Sequence, residues 1–161
     1  MWLSGYSWFS KKNRTMPEKE TLERADKDKR EGKAASTQAG EFVREEIEHV
    51  REGKHGARST KQVIAIGLSK ARRAGVKLRP PKKASKKTQE QAAHDTRKGK
   101  SAGKGKKSAK RSRATLGALK REGRSAASKQ ALSRQARSAA TKRSAASRSR
   151  SATKAGATRK K

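Results

Sequence analysis

The sequence predicts a small all-α protein with one αα-hairpin, at about residues 38–52 and 60–74, flanked by largely disordered basic low-complexity segments. The first observation is charge: 161 residues include 46 Lys and Arg but 14 Asp and Glu, for a net charge of +32. The second is that only 21 residues are large and apolar (Met, Trp, Leu, Tyr, Phe, Val or Ile). Burial worth ~25 cal/mol per Å² cannot offset an ordering cost of ~1–2 kcal/mol per residue over such a chain.

The charge is distributed unevenly along the chain. Residues 1–52 contain 11 basic and 11 acidic side chains, whereas residues 53–161 contain 35 basic and 3 acidic ones. The whole excess of positive charge therefore lies after Glu52, which indicates a near-neutral N-terminal part followed by a polycationic tail. The chain has no Cys, so disulfides and thiolate chemistry are excluded. No apolar run approaches the ~20 residues that span a bilayer.

The first segment, residues 1–15, is aromatic: it holds Trp2, Tyr6, Trp8 and Phe9. We interpret it as an extension ahead of a true start at Met16, with a membrane-touching or base-stacking arm as the alternative. The next segment, residues 16–35, alternates charge signs and has one large apolar residue after its Met, which predicts a marginal helix with little to bury.

Residues 36–78 contain the apolar residues of the predicted hairpin. In the first helix they keep helical spacing, with Glu45, Glu46 and Glu48 expected on the opposite face. Gly53 ends that helix, and the Ser-x-x-Gln pattern at Ser59 predicts a capping box for the second. The predicted hairpin core is Phe42, Val43, Ile47, Val50, Ile64 and Leu68. So small a core predicts marginal stability, which a second copy or a protein partner docked on the hairpin would increase.

The remaining chain is divided into a Pro/Lys/Gly linker, residues 79–113, and an Ala/Ser/Lys/Arg-rich basic tail, residues 114–161. An Arg-Glu-Gly-basic pattern occurs three times, beginning at Arg30, Arg51 and Arg121. Helix punctuation explains the pattern on its own, because a glycine ends one helix and a Ser or Thr begins the next. Such loops also present backbone N–H groups beside a helix N-terminus, which suits a phosphate. Both interpretations stay open.

Catalytic chemistry has little support in the sequence. The three histidines are His49, His55 and His94, and no carboxylate constellation pairs clearly with them. A metal site needs several ligands at workable spacing, and none is predicted. Ser and Thr are plentiful but lack an activating base with an orienting partner. We therefore expect a protein that is not an enzyme, with no catalytic residue, no metal and no cofactor.

Nucleic-acid binding has strong but generic support, because 35 cations in 109 residues attract a polyanion. The tail contains no aromatic residue, so it indicates phosphate neutralisation rather than base stacking. The helix that begins at Thr60 could enter a groove, or its basic residues could simply be solvated. The loop around His55 is the best structured phosphate site that the sequence offers. The expected phosphate contacts are Lys54, His55, Arg58, Lys61, Arg72, Arg73, Lys106, Lys107, Lys110, Arg111, Arg113, Arg124, Arg137 and Arg143.

Residues 40–78, GEFVREEIEHVREGKHGARSTKQVIAIGLSKARRAGVKL, resemble an uncharacterised family of small, highly basic proteins of Gram-negative bacteria. A [ST]-x-K-Q-x-I-A-I-x-L-S-x-A core recurs in that family, and residues 59–71 of this chain match it. The matching residues are Ser59, Lys61, Gln62, Ile64, Ala65, Ile66, Leu68, Ser69 and Ala71. The resemblance extends over most of residues 16–140. It implies a bacterial source and a start at Met16, but no activity and no site residues. The tail is histone-like in composition only.

These observations lead us to expect sequence-nonspecific DNA binding by a nucleoid-associated, cytoplasmic protein. RNA or ribosome association is the alternative in the same class, with DNA favoured over RNA. A protein-interaction hairpin with the tail as an electrostatic tether is an alternative from another class, and the hairpin could also form a homodimer. Binding to an anionic membrane is the least favoured interpretation.

Overall fold

A computed structural model describes residues 17–80, 84–101 and 108–159. Within them the chain forms seven α-helices, one short 3₁₀ helix at Ser125–Ala127 and no strand. The helices are α1 (Lys19–Arg30), α2 (Ala35–Arg51), α3 (Thr60–Arg73), α4 (Lys86–Lys100), α5 (Ala109–Arg121), α6 (Lys129–Thr141) and α7 (Ala145–Arg159). No helix in these ranges is long and apolar enough to cross a membrane. The aromatic segment 1–15 lies outside the described residues.

The prediction of disordered segments around one hairpin is wrong. Four helices, α4 to α7, lie in residues 79–161, which we expected to be linker and tail. The prediction was wrong because it relied on a count of large apolar side chains. Alanine content and serine caps favour the helices of this region instead. Its residues are rich in Ala, which has the highest helix propensity. Serine side chains cap three of these helices, with Ser85, Ser108 and Ser128 each accepting a hydrogen bond from the first helical turn.

The described chain divides into two compact units. Unit 1 comprises the described residues within 1–45 and 67–104, and unit 2 those within 46–66 and 105–161. Helices α2 and α3 supply residues to both units, so Glu45 belongs to unit 1 and its neighbour Glu46 to unit 2. Consecutive helical residues point about 100° apart, since a turn takes ~3.6 residues. Two adjacent glutamates can therefore face different surroundings.

The predicted hairpin core is divided between two apolar clusters. In unit 1, Phe42 is fully buried with small side chains, and Leu68 packs against them. In unit 2, Val50 is fully buried in a second cluster, with Ile47 packed against it. Val43 and Ile64 are only half-buried, and Val63 is buried although the core prediction omitted it. A single core for the hairpin was therefore wrong.

Small residues allow the close approaches that unit 1 requires. The buried part of its apolar cluster is Phe42 with Ala25, Ala39 and Ala71. Gly67 of α3 lies against Val43 of α2, where an added Cβ would sit 2.6 Å from the Val43 Cα. This distance is too short for any side chain, so the glycine sets how closely the two helices cross within unit 1.

Unit 2 is held by backbone contacts between the segments that contain two copies of the Arg-Glu-Gly pattern, the loop after α2 and the end of α5 with the turn that follows it. The loop after α2 lies against the turn after α5: Gly56 N–H donates to the Leu119 carbonyl and Ala57 N–H to the Gly123 carbonyl. The Arg51 side chain donates to the carbonyl of Ala127, which is fully buried in the unit 2 cluster. The repeated pattern thus acts as helix punctuation whose loops pack on each other.

Candidate functional site

The first candidate site is the basic surface of unit 2, which we define as the Lys and Arg side chains of residues 110–154. All 14 of them are exposed. One acidic residue, Glu122, lies in the described range 108–159, and its carboxylate faces Arg58 at 3.8 Å. No described residue of α5 or α6 is buried, so both helices present their cations to solvent.

Eight of the expected phosphate contacts lie in this part of the chain, six on this surface and two just outside the described residues. Lys106 and Lys107 fall in the undescribed range 102–107, so their positions stay a prediction. The others are exposed, on α5 or in the turns and helix that follow it. They are Lys110, Arg111, Arg113, Arg124, Arg137 and Arg143.

The loop between α2 and α3 differs from the phosphate site that we expected. Its backbone N–H groups are engaged within the chain: that of Lys54 donates to the His49 carbonyl, and that of Arg58 to the Gln62 side chain. The N–H groups of residues 56 and 57 donate to the turn after α5, as described above. A phosphate that bound to these four N–H groups would have to displace their bonds.

The expected phosphate contacts in that loop and in α3 differ in how exposed their side chains are. Lys61 and Arg58 are exposed, and Lys54 is half-exposed with its Nζ 2.9 Å from a Glu52 carboxylate oxygen. Arg72 is buried and its Nε donates to the Leu78 carbonyl. His55 is also buried, so it cannot contact DNA in this arrangement.

Arg73, the last of the expected contacts, is joined to a carboxylate in unit 1. Its guanidinium donates two hydrogen bonds, of 2.8 and 2.6 Å, to Oδ1 of Asp95 on α4. The Ser69 hydroxyl donates to Oδ2 of the same carboxylate. Burial alone would raise the pKa of Asp95, but the hydrogen bonds from Ser69 and Arg73 outweigh it and hold the pKa below its usual value. This arrangement stabilises unit 1, while the Arg73 side chain stays 47% exposed.

The second candidate site is a buried cluster in unit 2, formed by Glu46, His49 and His55. Their relative exposures are 1%, 4% and 7%. The Glu46 Oε2 lies 3.3 Å from Nε2 of His55, and its Oε1 lies 3.5 Å from Nδ1 of His49. One ligand atom from each residue lies within 4.8 Å of the other two. The two rings meet edge to face, with centroids 6.0 Å apart.

Sequence reasoning missed this cluster because it placed Glu46 on the solvent-facing side of α2. That placement is wrong, since both Glu45 and Glu46 are buried. The signal that could have found the cluster is the Glu-x-x-His spacing of Glu46 and His49, which puts both on one helix face. The position of His55 is set by the contact between the two loops, which sequence spacing does not reveal.

Comparison with known proteins adds one match. Residues 27–84 match a family of unknown function, DUF6496. The matched segment runs from α1 to the residues before α4, so it includes Glu46, His49 and His55 but none of α5, α6 or α7. No curated protein and no solved structure matches the chain.

Proposed function

We propose that this protein binds duplex DNA without reading its sequence, by neutralising phosphates with the basic surface of unit 2, and that it acts in the bacterial nucleoid. The observation that carries the proposal is the exposure of every Lys and Arg side chain from Lys110 to Lys154. Together with Arg159, the described range 108–159 contains 15 basic residues and one acidic residue. Its field is therefore positive and little compensated from within.

Helical order supports phosphate contact more than a flexible tail would. A 13-residue helix such as α6 is about 20 Å long, and it holds Arg134 and Arg137 one turn apart on one face. Fixed cations lose less conformational freedom on binding than those of a disordered chain. Residues 82–161 contain no aromatic side chain that could stack on bases. Phosphate contacts position a protein without specifying sequence.

The test is salt-dependent binding of the full-length protein to two unrelated duplex DNA sequences and to one duplex RNA of the same length. Fluorescence anisotropy should give equal affinities for the two DNA sequences within about threefold. The logarithm of affinity should fall steeply with the logarithm of salt concentration, with a slope of about −0.9 per neutralised phosphate. Tighter binding to RNA than to DNA would reassign the function to RNA. A tenfold preference for one DNA sequence would contradict nonspecific binding.

A matched pair of variants locates the binding surface. Replacing Arg134, Arg137 and Arg143 by Gln removes three exposed cations from unit 2 and should reduce the salt slope by about 2–3. The control replaces Lys19, Lys27 and Lys29 of α1 by Gln, which lowers the net charge equally. That control should change the slope by less than about 1. Equal effects of the two variants would show that net charge, not the basic surface of unit 2, determines binding.

A further inference from the structure

We propose that Glu46, His49 and His55 form a binding site for one divalent transition-metal ion, and that Zn²⁺ is the ion their donor set fits best. The site lies wholly within unit 2 and is separate from the basic surface. It therefore assigns the protein a second ligand, of opposite charge to DNA.

The distances in the cluster fit a tetrahedral ion. Zn²⁺ binds His nitrogens and carboxylate oxygens at about 2.0–2.2 Å, so two ligand atoms of a tetrahedral site lie about 3.3–3.5 Å apart. The Glu46 Oε2 lies 3.3 Å from His55 and its Oε1 lies 3.5 Å from His49, and one ligand atom from each of the three residues lies within 4.8 Å of the other two. An ion can therefore enter the cluster with small side-chain movements. Two His and one carboxylate with water in the fourth position form a known type of zinc site.

The hydrogen bond of His55 fixes which of its nitrogens faces the carboxylate. Its Nδ1 lies 3.0 Å from the backbone carbonyl oxygen of Gly56. A carbonyl can only accept, so Nδ1 carries the proton of that bond. In the neutral ring the Nε2 lone pair then faces the Glu46 carboxylate, and two acceptors repel. A second ring proton or a metal ion between them removes the repulsion. A metal-bound His usually donates the N–H of its other ring nitrogen to a carbonyl or a carboxylate, and this bond fixes the orientation of the ring.

The cluster is buried, which distinguishes it from a chance group of surface side chains. All three side chains are more than nine-tenths buried, whereas the third histidine, His94 on α4, has a side chain 47% exposed. The position of His55 is maintained by neighbouring backbone hydrogen bonds from Gly56 and Ala57 to the turn after α5. A site held this firmly keeps its ligands in place before the ion arrives.

The strongly positive charge of the protein helps the experiment. Four carboxylates lie among the described residues of unit 2, against 19 Lys and Arg, so adventitious binding of a cation to the surface should be weak.

Full-length protein is stripped with a chelator and titrated with Co²⁺, whose visible spectrum reports tetrahedral coordination. We expect saturation at one ion per chain, and loss of the spectrum when Zn²⁺ is added. Zinc at about 100 times its Kd should raise Tm by about 5–10 °C.

Variants assign the ion to the cluster. His55→Gln and Glu46→Gln each remove one ligand and should abolish the Co²⁺ spectrum and the zinc-dependent rise in Tm. His94→Gln removes the histidine outside the cluster and should leave both unchanged. If a cluster variant does not fold, the wild-type titration still decides. No saturable tetrahedral spectrum from the wild-type protein, or equal loss in His94→Gln, would overturn the metal site.

Discussion

The two units bury their charged residues in opposite ways. Unit 1 pairs each buried carboxylate with a permanent cation: Glu45 with Lys70 at 2.9 Å, Asp28 with Lys33 at 2.8 Å, and Asp95 with Arg73. In unit 2 the buried carboxylate faces two imidazoles, and the buried residues described there include no Lys or Arg. The buried acidic residues of unit 1 therefore stabilise its own fold through ion pairs. Unit 2 keeps its Lys and Arg at the surface, where a polyanion can reach them.

The difference shows how so basic a chain can fold into helices without a large apolar core. The described residues of unit 1 contain 17 basic and 10 acidic side chains, and those of unit 2 contain 19 and 4. Unit 1 has enough acids to compensate buried cations. Unit 2 does not, and it relies on close backbone contacts and small buried side chains such as Val50, Ala126 and Ala127. The predictions below test this contrast, beginning with the largest effect.

Removing the buried cation of unit 1 should produce the largest loss of stability. Lys70→Met keeps most of the aliphatic stem but takes the positive charge from the Glu45 carboxylate, whose side chain is 2% exposed. Breaking a buried pair by removing one partner costs about 3–5 kcal/mol. Urea denaturation followed by circular dichroism measures the loss, and hydrogen exchange should place it in α1 and α4.

The control for this variant is Lys77→Met, because Lys77 is exposed and belongs to the same unit. Its effect should be within about 0.5 kcal/mol. In the double variant Glu45→Gln with Lys70→Met, part of the lost stability should return, since no isolated charge is then buried. Equal losses from Lys70→Met and Lys77→Met would show that unit 1 does not depend on its buried ion pair.

The sequence predicted α2 and α3 well because their ends are set by local signals. The Gln62 N–H donates to the Ser59 hydroxyl at the start of α3, as the capping box requires. Gly53 and Gly75 follow the two helices with φ of 75° and 96°, values that favour glycine. Local patterns of this kind need no knowledge of the rest of the chain.

The buried charges could not be predicted in the same way, because their partners come from distant parts of the sequence. Asp95 is paired with residues 22 and 26 positions earlier. Glu46 lies in a helical stretch whose acidic residues look solvent-exposed until the loop at His55 is folded against it. The ordered helices after residue 84 were missed for a related reason, since burial by Ala leaves no signal in a count of large apolar residues.

In unit 2 the largest loss of stability should follow from disturbing the close backbone contact at Gly56. In Gly56→Ala the new methyl group would overlap the carbonyl of Glu122, and the loop would have to move. Overpacking costs about 1–3 kcal/mol, and loss of one neighbouring backbone hydrogen bond adds about 1 kcal/mol. We expect a total loss of about 2–4 kcal/mol, with faster hydrogen exchange in α5 and α6 but not in α1.

The matched control is Gly117→Ala, inside α5 and in the same unit. An added Cβ there meets no atom within 4 Å, so alanine should stabilise the helix by up to about 1 kcal/mol. Opposite signs for the two substitutions would show that unit 2 depends on the close contact at Gly56. A loss of the same size at Gly117 would instead mean that unit 2 is destabilised by replacing any of its glycines, whether or not the added methyl group meets a neighbour.

The smallest expected effect concerns the Asp95 carboxylate and depends on pH. Asp95→Asn keeps the size of the side chain but weakens its hydrogen bonds with Ser69 and Arg73 by removing the charge. At pH 7 the loss should be about 1–3 kcal/mol. The pKa of Asp95 is lowered in the folded protein, so the carboxylate stabilises unit 1 above its unfolded pKa of about 3.9. That contribution is lost as the pH falls through the folded pKa.

The difference in stability between wild type and Asp95→Asn should therefore be constant above about pH 5 and shrink below about pH 4. Urea titrations at several pH values measure it. Glu90→Gln, an equivalent change at an exposed position of α4, should have little effect at any pH. A difference that persists unchanged at pH 3 would mean that the shape of the Asp95 side chain, and not its charge, holds α4 to α3 in unit 1. The contrast between an ion-paired unit 1 and a cation-presenting unit 2 would then rest on the pairs Glu45–Lys70 and Asp28–Lys33.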